Sequence, residues 1–158
     1  MHPRAATFAE RVREEHGFDP AVEEFPDGTK TAADAADAVG CDVAQIASSL
    51  VFEIDDSLVI SVTSGANRVS EPSLGAAFDA PADEVTMASP DRIRETLGWS
   101  IGGVPPFCHD ERVPVVVDET LLEFDTVWAA AGTPTAVFPI APETLRQYAD
   151  AEPASVAE

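Results

Sequence analysis

Gly102-Gly103-Val104-Pro105-Pro106 is the stretch of this 158-residue chain whose residue types best suit chemistry. Two glycines leave backbone N–H groups bare, and the prolines behind them stiffen the element that carries them. Such donors receive a developing oxyanion, or hold a ligand carbonyl or ribose oxygen. The same composition also makes a plain tight turn between a helix and a strand at 114–117, and the residues alone leave both readings open. Next to it, Cys108-His109-Asp110 spells nucleophile, base and orienting acid in order. Triad members meet in space from separate elements, so adjacency argues against a triad and for a loop cysteine beside a solvated histidine.

Ser48-Ser49 precede an apolar run, where a hydroxyl could bond a substrate but would need a nearby base to act as nucleophile; polar ends of a helical turn are the bland alternative. Arg68, in Gly65-Ala66-Asn67-Arg68, is the only cation between Lys30 and Arg92, suited to a phosphate or carboxylate or to a surface ion pair. Phe25, Trp99, Phe107 and Trp128 favour packing over a base-stacking platform. Cys41 and Cys108 are too few for a disulfide framework. With His2, His16 and His109 they show no C-x-x-C or H-x-x-x-H spacing, so no metal and no cofactor are expected.

These residues need elements to hold them. At 16.7 kDa, with 45% hydrophobic and 24% charged residues, the expectation is a single domain over 1–158, its core spanning about 20–150 and its tail, 151–158, frayed. No apolar run reaches the ~20 residues of a membrane helix and no secretion signal opens the chain, which points to a soluble, cytoplasmic protein with no membrane partner. Asp and Glu number 29 against 9 Lys and Arg, a net charge of −20 spread over the whole chain. Such a coat is screened where salt is concentrated and reads as a halophile's adaptation. It also lacks the basic stripe of a DNA binder.

Helices are expected up to His16, from Thr31 to Val39, after Ser89-Pro90 and from Pro142 to about Tyr148, each with a capping signal. AVEEF (21–25) reads as a strand and PDGT (26–29) as a turn. Runs 48–54 and 57–63, joined by Asp55-Asp56, read as a hairpin. Short β-like runs follow at 85–88, 114–118, 121–124, 126–130 and 135–140. Strands and helices do not strictly alternate, which indicates mixed α/β structure on a curved sheet.

In order and spacing, TAADAADAVGCDVAQIASSLVFE, the Gly65–Arg68 element, VTMASPDRIRETLGWSIGGVPPF and PVVVDETLLEFDTVWAAAGTPTAVFPIAPETL resemble the YbaK/EbsC family, also called the prolyl-tRNA editing-domain family. The likeness covers about residues 22–150. It implies a barrel-like mixed β-sheet with flanking helices and an aminoacyl-tRNA deacylase that clears cysteine or alanine from tRNA(Pro). At this length the chain would act in trans. The implied partners are the 3′ end of a misacylated tRNA and prolyl-tRNA synthetase. Carried onto this chain, the catalytic group is Ser48, Gly102 and Gly103, and the substrate-binding group is Phe25, Ser49, Arg68, Val104, Pro105, Pro106 and Phe107. The family usually has a lysine where this chain has Ser48 and a glycine where it has Cys108; an acid of some members falls near Val137. A non-catalytic module holding an aminoacyl-adenosine-like ligand is the alternative, because Ser48 carries no charge.

Overall fold

The computed structural model describes residues 2–25 and 31–157. The turn expected at 26–29, and Lys30, lie outside the described residues. Five helices, α1 (Pro3–His16), α2 (Ala32–Val39), α3 (Glu71–Ala77), α4 (Pro90–Leu97) and α5 (Pro142–Ala149), flank one eight-stranded sheet. The strands are β1 (Glu23–Glu24), β2 (Ile46–Ile54), β3 (Ser57–Ser64), β4 (Val85–Met87), β5 (Val115–Asp118), β6 (Val127–Ala130), β7 (Ala136–Ile140) and β8 (Glu152–Ala154). Their order is β1-β7-β6-β2-β3-β5-β8, with β4 also on β2. Pairs β2–β6, β3–β5 and β5–β8 are parallel and the rest antiparallel, so the sheet is mixed, as expected.

Local chemistry sets the element ends. The hydroxyls of Thr31 and Ser89 accept from the N–H of Asp34 and Arg92, and left-handed Gly40 and Gly98 close the same helices. Asp55 and Asp56 turn the β2–β3 hairpin at φ 49° and 65°, the positive pair a two-residue turn requires. On one face, Phe8 and Val12 of α1 pack with Trp99, Phe107 and Phe138, all buried. Ring contacts bring Phe8 to Trp99 (6.1 Å), Phe107 (5.9 Å) and Phe138 (5.0 Å). No described helix is long and apolar enough to cross a membrane.

Two expectations need correction. Run 121–124 is no strand: Glu119–Glu123 is a 3-10 turn, opened by the Asp118 carboxylate accepting from the Thr120 N–H, and Leu121 alone is fully buried. The tail is not frayed. Residues 152–154 form β8 against β5, Val156 is fully buried and Ala157 bridges Val69.

Asp118 joins these parts. It is 2% exposed, and its carboxylate accepts from the Ser64 N–H (3.1 Å), Asn67 Nδ2 (2.9 Å) and the Thr120 N–H (3.0 Å). Asp118→Ala would strand donors around buried Ser64 and free the 64–68 loop. Urea unfolding should record a loss of about 2–4 kcal/mol. A change within error would mean that the loop repairs itself with solvent.

Candidate functional site

The sheet leaves a notch in its middle strand. On one side β2 pairs continuously with β3 from Ala47 to Ile54. On the other, β6 covers only Ile46–Ala47 and β4 only Phe52–Ile54, which leaves 48–51 between them. The Gly65 N–H donates to Ile46 O on the β3 side, and the Ala88 N–H to Val51 O on the β4 side. Amide groups alternate sides along a strand, so Ser49 turns its N–H and C=O into the notch. Its Oγ is buried with no hydrogen-bond partner among the described residues. Buried hydroxyls are ordinarily paired, with protein groups or ordered water.

The notch opens into a cleft of about 290 Å³. Ser48, Ser49 and Leu50 of β2 form one wall, Thr31 and Ala32 at the start of α2 another, and Ile101, Gly102 and Val104 the third. Trp128, Ala130 and Val137 also line it. Ser48 and Ser49 are half-buried on opposite faces of β2. Met87 and Ile101, 59% and 50% exposed, are large apolar side chains at its edge. No ionisable side chain is among the described lining residues. The described lining residues offer a ligand hydroxyls and backbone dipoles.

Of the residues singled out in the sequence, the cleft brings together Ser48, Ser49, Gly102 and Val104. Gly102 is exposed at φ 87°, and among the described residues nothing accepts from its N–H. Gly103 is a correction: its N–H donates to Ser100 O (3.0 Å), closing a turn rather than facing a ligand. It is glycine because a Cβ would stand 2.7 Å from Thr133 Cα. Buried Pro105, Pro106 and Phe107 lie outside the lining; the Pro105 carbonyl meets His109 Nε2 at 2.7 Å, and Phe107 joins the core. Phe25 packs against the cluster of Ala35, Ala36 and Ile46 instead of lining the cleft. Arg68 is exposed and also outside the lining. Gly65 does contribute indirectly, since a Cβ there would meet Val43 O at 2.6 Å and Ala32 Cβ at 2.8 Å, so glycine seats α2 against the sheet.

Cys108-His109-Asp110 does not converge. His109 turns to Pro105 and burial lowers its pKa, while Asp110 pairs with Arg11 (2.9 Å). Burial, with Glu15 beside it, pushes the Cys108 thiol up to about 12, which removes it as a nucleophile. At pH 8, alkylation should therefore label half-buried Cys41 at least about a hundredfold faster than Cys108, read by mass of the labelled peptides. Equal rates would restore a reactive Cys108.

Sequence reasoning missed Thr31, Met87, Ile101 and Pro134 in the cleft. None carries a charge, and although all four lie within the stretches quoted for the family resemblance, only the topology brings them to one cleft.

A sequence profile of the aminoacyl-tRNA editing domain family matches residues 26–148. YwhH of Bacillus subtilis strain 168 is 31% identical over 130 residues, 80% of each chain. The proline–tRNA ligase of Lactobacillus johnsonii is 31% identical over 104 residues, 66% of this chain but only 18% of the ligase. Among solved structures, a candidate trans-editing enzyme for prolyl tRNA synthetase superposes with a TM-score of 0.94 at 35% identity, covering 100% of this chain and 99% of that one.

Proposed function

Because this chain belongs to the aminoacyl-tRNA editing domain family, we propose that its cleft hydrolyses the ester of a misacylated tRNA in trans, with alanine or cysteine on tRNA(Pro) as the substrate class. The observation that carries this reading is a small, apolar notch with unpaired backbone groups and, among the described residues, no ionisable side chain in its lining. Its volume of about 290 Å³ suits a small aminoacyl group and a terminal ribose, with the rest of the tRNA outside. Little contact with the phosphate backbone also suits a surface of −20.

An aminoacyl ester is already activated. Water adds to its carbonyl carbon, the carbonyl oxygen takes up negative charge, and the carbon–oxygen bond to the ribose then breaks as that oxygen gains a proton. The Gly102 N–H, to which no described residue is bonded, is the donor for the oxyanion. The Ser49 N–H and C=O, which face the notch, hold the aminoacyl group. Thr31, Ser48 and the neighbouring ribose hydroxyl orient the water. A pocket this apolar discriminates by size, which is what a second, hydrolytic sieve requires.

The test compares the native protein with Ser48→Lys on alanyl-, cysteinyl-, seryl- and prolyl-tRNA(Pro) in concentrated KCl. The native protein is expected to release alanine or cysteine at least about tenfold faster than proline, whose ring is larger and closed on its nitrogen. Silence from both proteins, each folded, would overturn deacylation for this panel. Activity confined to Ser48→Lys would instead support a ligand-holding module, a reading favoured by the uncharged Ser48.

A further inference from the structure

The segment that lines the cleft at Ile101–Val104 borders a second, more polar cleft at Pro106–His109. There Glu15 and His16, at the last turn of α1, meet Cys108 from a loop about 90 residues away. One carboxylate oxygen, one imidazole nitrogen and the Cys108 Sγ lie within 4.8 Å of one another. Zinc bonds of 2.0–2.3 Å place tetrahedral ligand atoms roughly 3.3–3.6 Å apart, so small side-chain rotations close the set.

The three groups are already oriented. The His16 ring stacks on Tyr148 at 4.1 Å and 14°, and meets the edge of Phe107 at 5.5 Å, which fixes its plane. Arg11 Nε holds the Glu15 carboxylate at 3.2 Å, and the same guanidinium donates to His109 O and the Asp110 carboxylate, the two residues that follow Cys108. Trp99 Nε1 donates to Cys108 O at 2.9 Å. Cys108 itself sits at φ 65°, a backbone conformation that costs a residue with a side chain about 1 kcal/mol. Partners that orient a ligand are a regular part of metal sites.

We propose that Glu15, His16 and Cys108 bind a zinc-class divalent metal, with a fourth coordination position open to water in this cleft of about 460 Å³. Thiolate, imidazole and carboxylate together select zinc-class ions over magnesium or calcium, which take oxygen ligands. Metal binding releases the Cys108 thiol proton to solvent, and the resulting thiolate and the Glu15 carboxylate balance a double positive charge. Arg112, the one Arg or Lys among the described residues lining the cleft, is paired with Asp150 at 2.5 Å. Bound there, the metal clamps the end of α1 to Cys108, two residues past the Gly/Pro segment.

The experiment titrates chelator-treated, reduced protein with Co²⁺ and then Zn²⁺. One equivalent of Co²⁺ should raise a thiolate-to-cobalt charge-transfer band with intense tetrahedral d–d absorption, and Zn²⁺ should displace it. Cys41→Ser should keep the band. Cys108→Gly, which relaxes the positive φ and should fold, should lose it; His16→Ala should weaken binding at least about tenfold. Zn²⁺ should also raise the thermal midpoint of the native protein and not of Cys108→Gly. No thiolate band with Cys108 verified as reduced, or a band that survives in Cys108→Gly, overturns the site. The readout is spectroscopic, so it is independent of any deacylase activity.

Discussion

Ser48→Leu is expected to lower kcat/KM for ester release at least about a hundredfold, equivalent to about 2.7 kcal/mol of transition-state stabilisation, while the fold stays intact. Ser48 is half-buried at the notch, on the β2 face it shares with Ile46 and Leu50, and its side chain enters a cleft of only about 290 Å³. Leucine there fills ligand space. It should leave stability within about 1 kcal/mol, because a half-buried strand position tolerates an apolar side chain. Ser48→Ala separates bulk from chemistry. Retained activity in Ser48→Ala with loss in Ser48→Leu assigns the position a spatial role, and equal losses assign the hydroxyl a part in the reaction. Native rates from Ser48→Leu would place the reaction away from this cleft.

Gly103→Ala should cost about 3 kcal/mol in urea unfolding and reduce ester release with it. The added Cβ would lie 2.7 Å from Thr133 Cα, 2.8 Å from its carbonyl carbon and 2.9 Å from its nitrogen. All three are backbone atoms, so no rotamer relieves the clash and one of two chain segments must move. The segment carrying Gly102 and Val104 is one of them, which ties stability to the cleft wall. Gly102→Ala is the contrast: its Cβ would meet only the Pro134 ring, at 3.4 Å (Cγ) and 3.7 Å (Cβ), and its φ of 87° adds strain of about 1–2 kcal/mol. A Gly103→Ala protein as stable as the native one would show that the 133 segment yields without effort.

Where a residue's own chemistry sets the conformation, the sequence is a good guide. Asp55-Asp56 supplies the positive φ pair of the hairpin, and Thr31 and Ser89 cap helices that end at glycines. Where the decision is tertiary, it is not. Leu121-Leu122 resembles a strand until the Asp118 cap turns it into a 3-10 turn. Glu152-Pro153-Ala154 has no strand character, yet β5 offers it an edge to pair with. The candidate site divides in the same way. Ser48, Ser49, Gly102 and Val104 were legible, Ser48 and Ser49 as hydroxyls before a strand and the others in a glycine-rich turn. The donor role of Gly103 failed because a turn bond to Ser100 is invisible in composition. Cys108 reads as a loop cysteine beside a solvated histidine, whereas the structure buries it within 4.8 Å of Glu15 and His16 from the other end of the chain.

The two-sided pairing of β2 also governs how the chain folds. Its β3 partner follows immediately across a two-residue turn, but Trp128 and Ala129 of β6 arrive about 80 residues later. Local pairing forms early and distant parallel pairing late, so the hairpin exists for a time with Ser48–Val51 and the positions of β6 and β4 uncovered. An open, apolar strand edge of that kind invites pairing between copies during folding. The dispersed acidic coat, a burden on the compact state at low salt, keeps those copies apart through that interval.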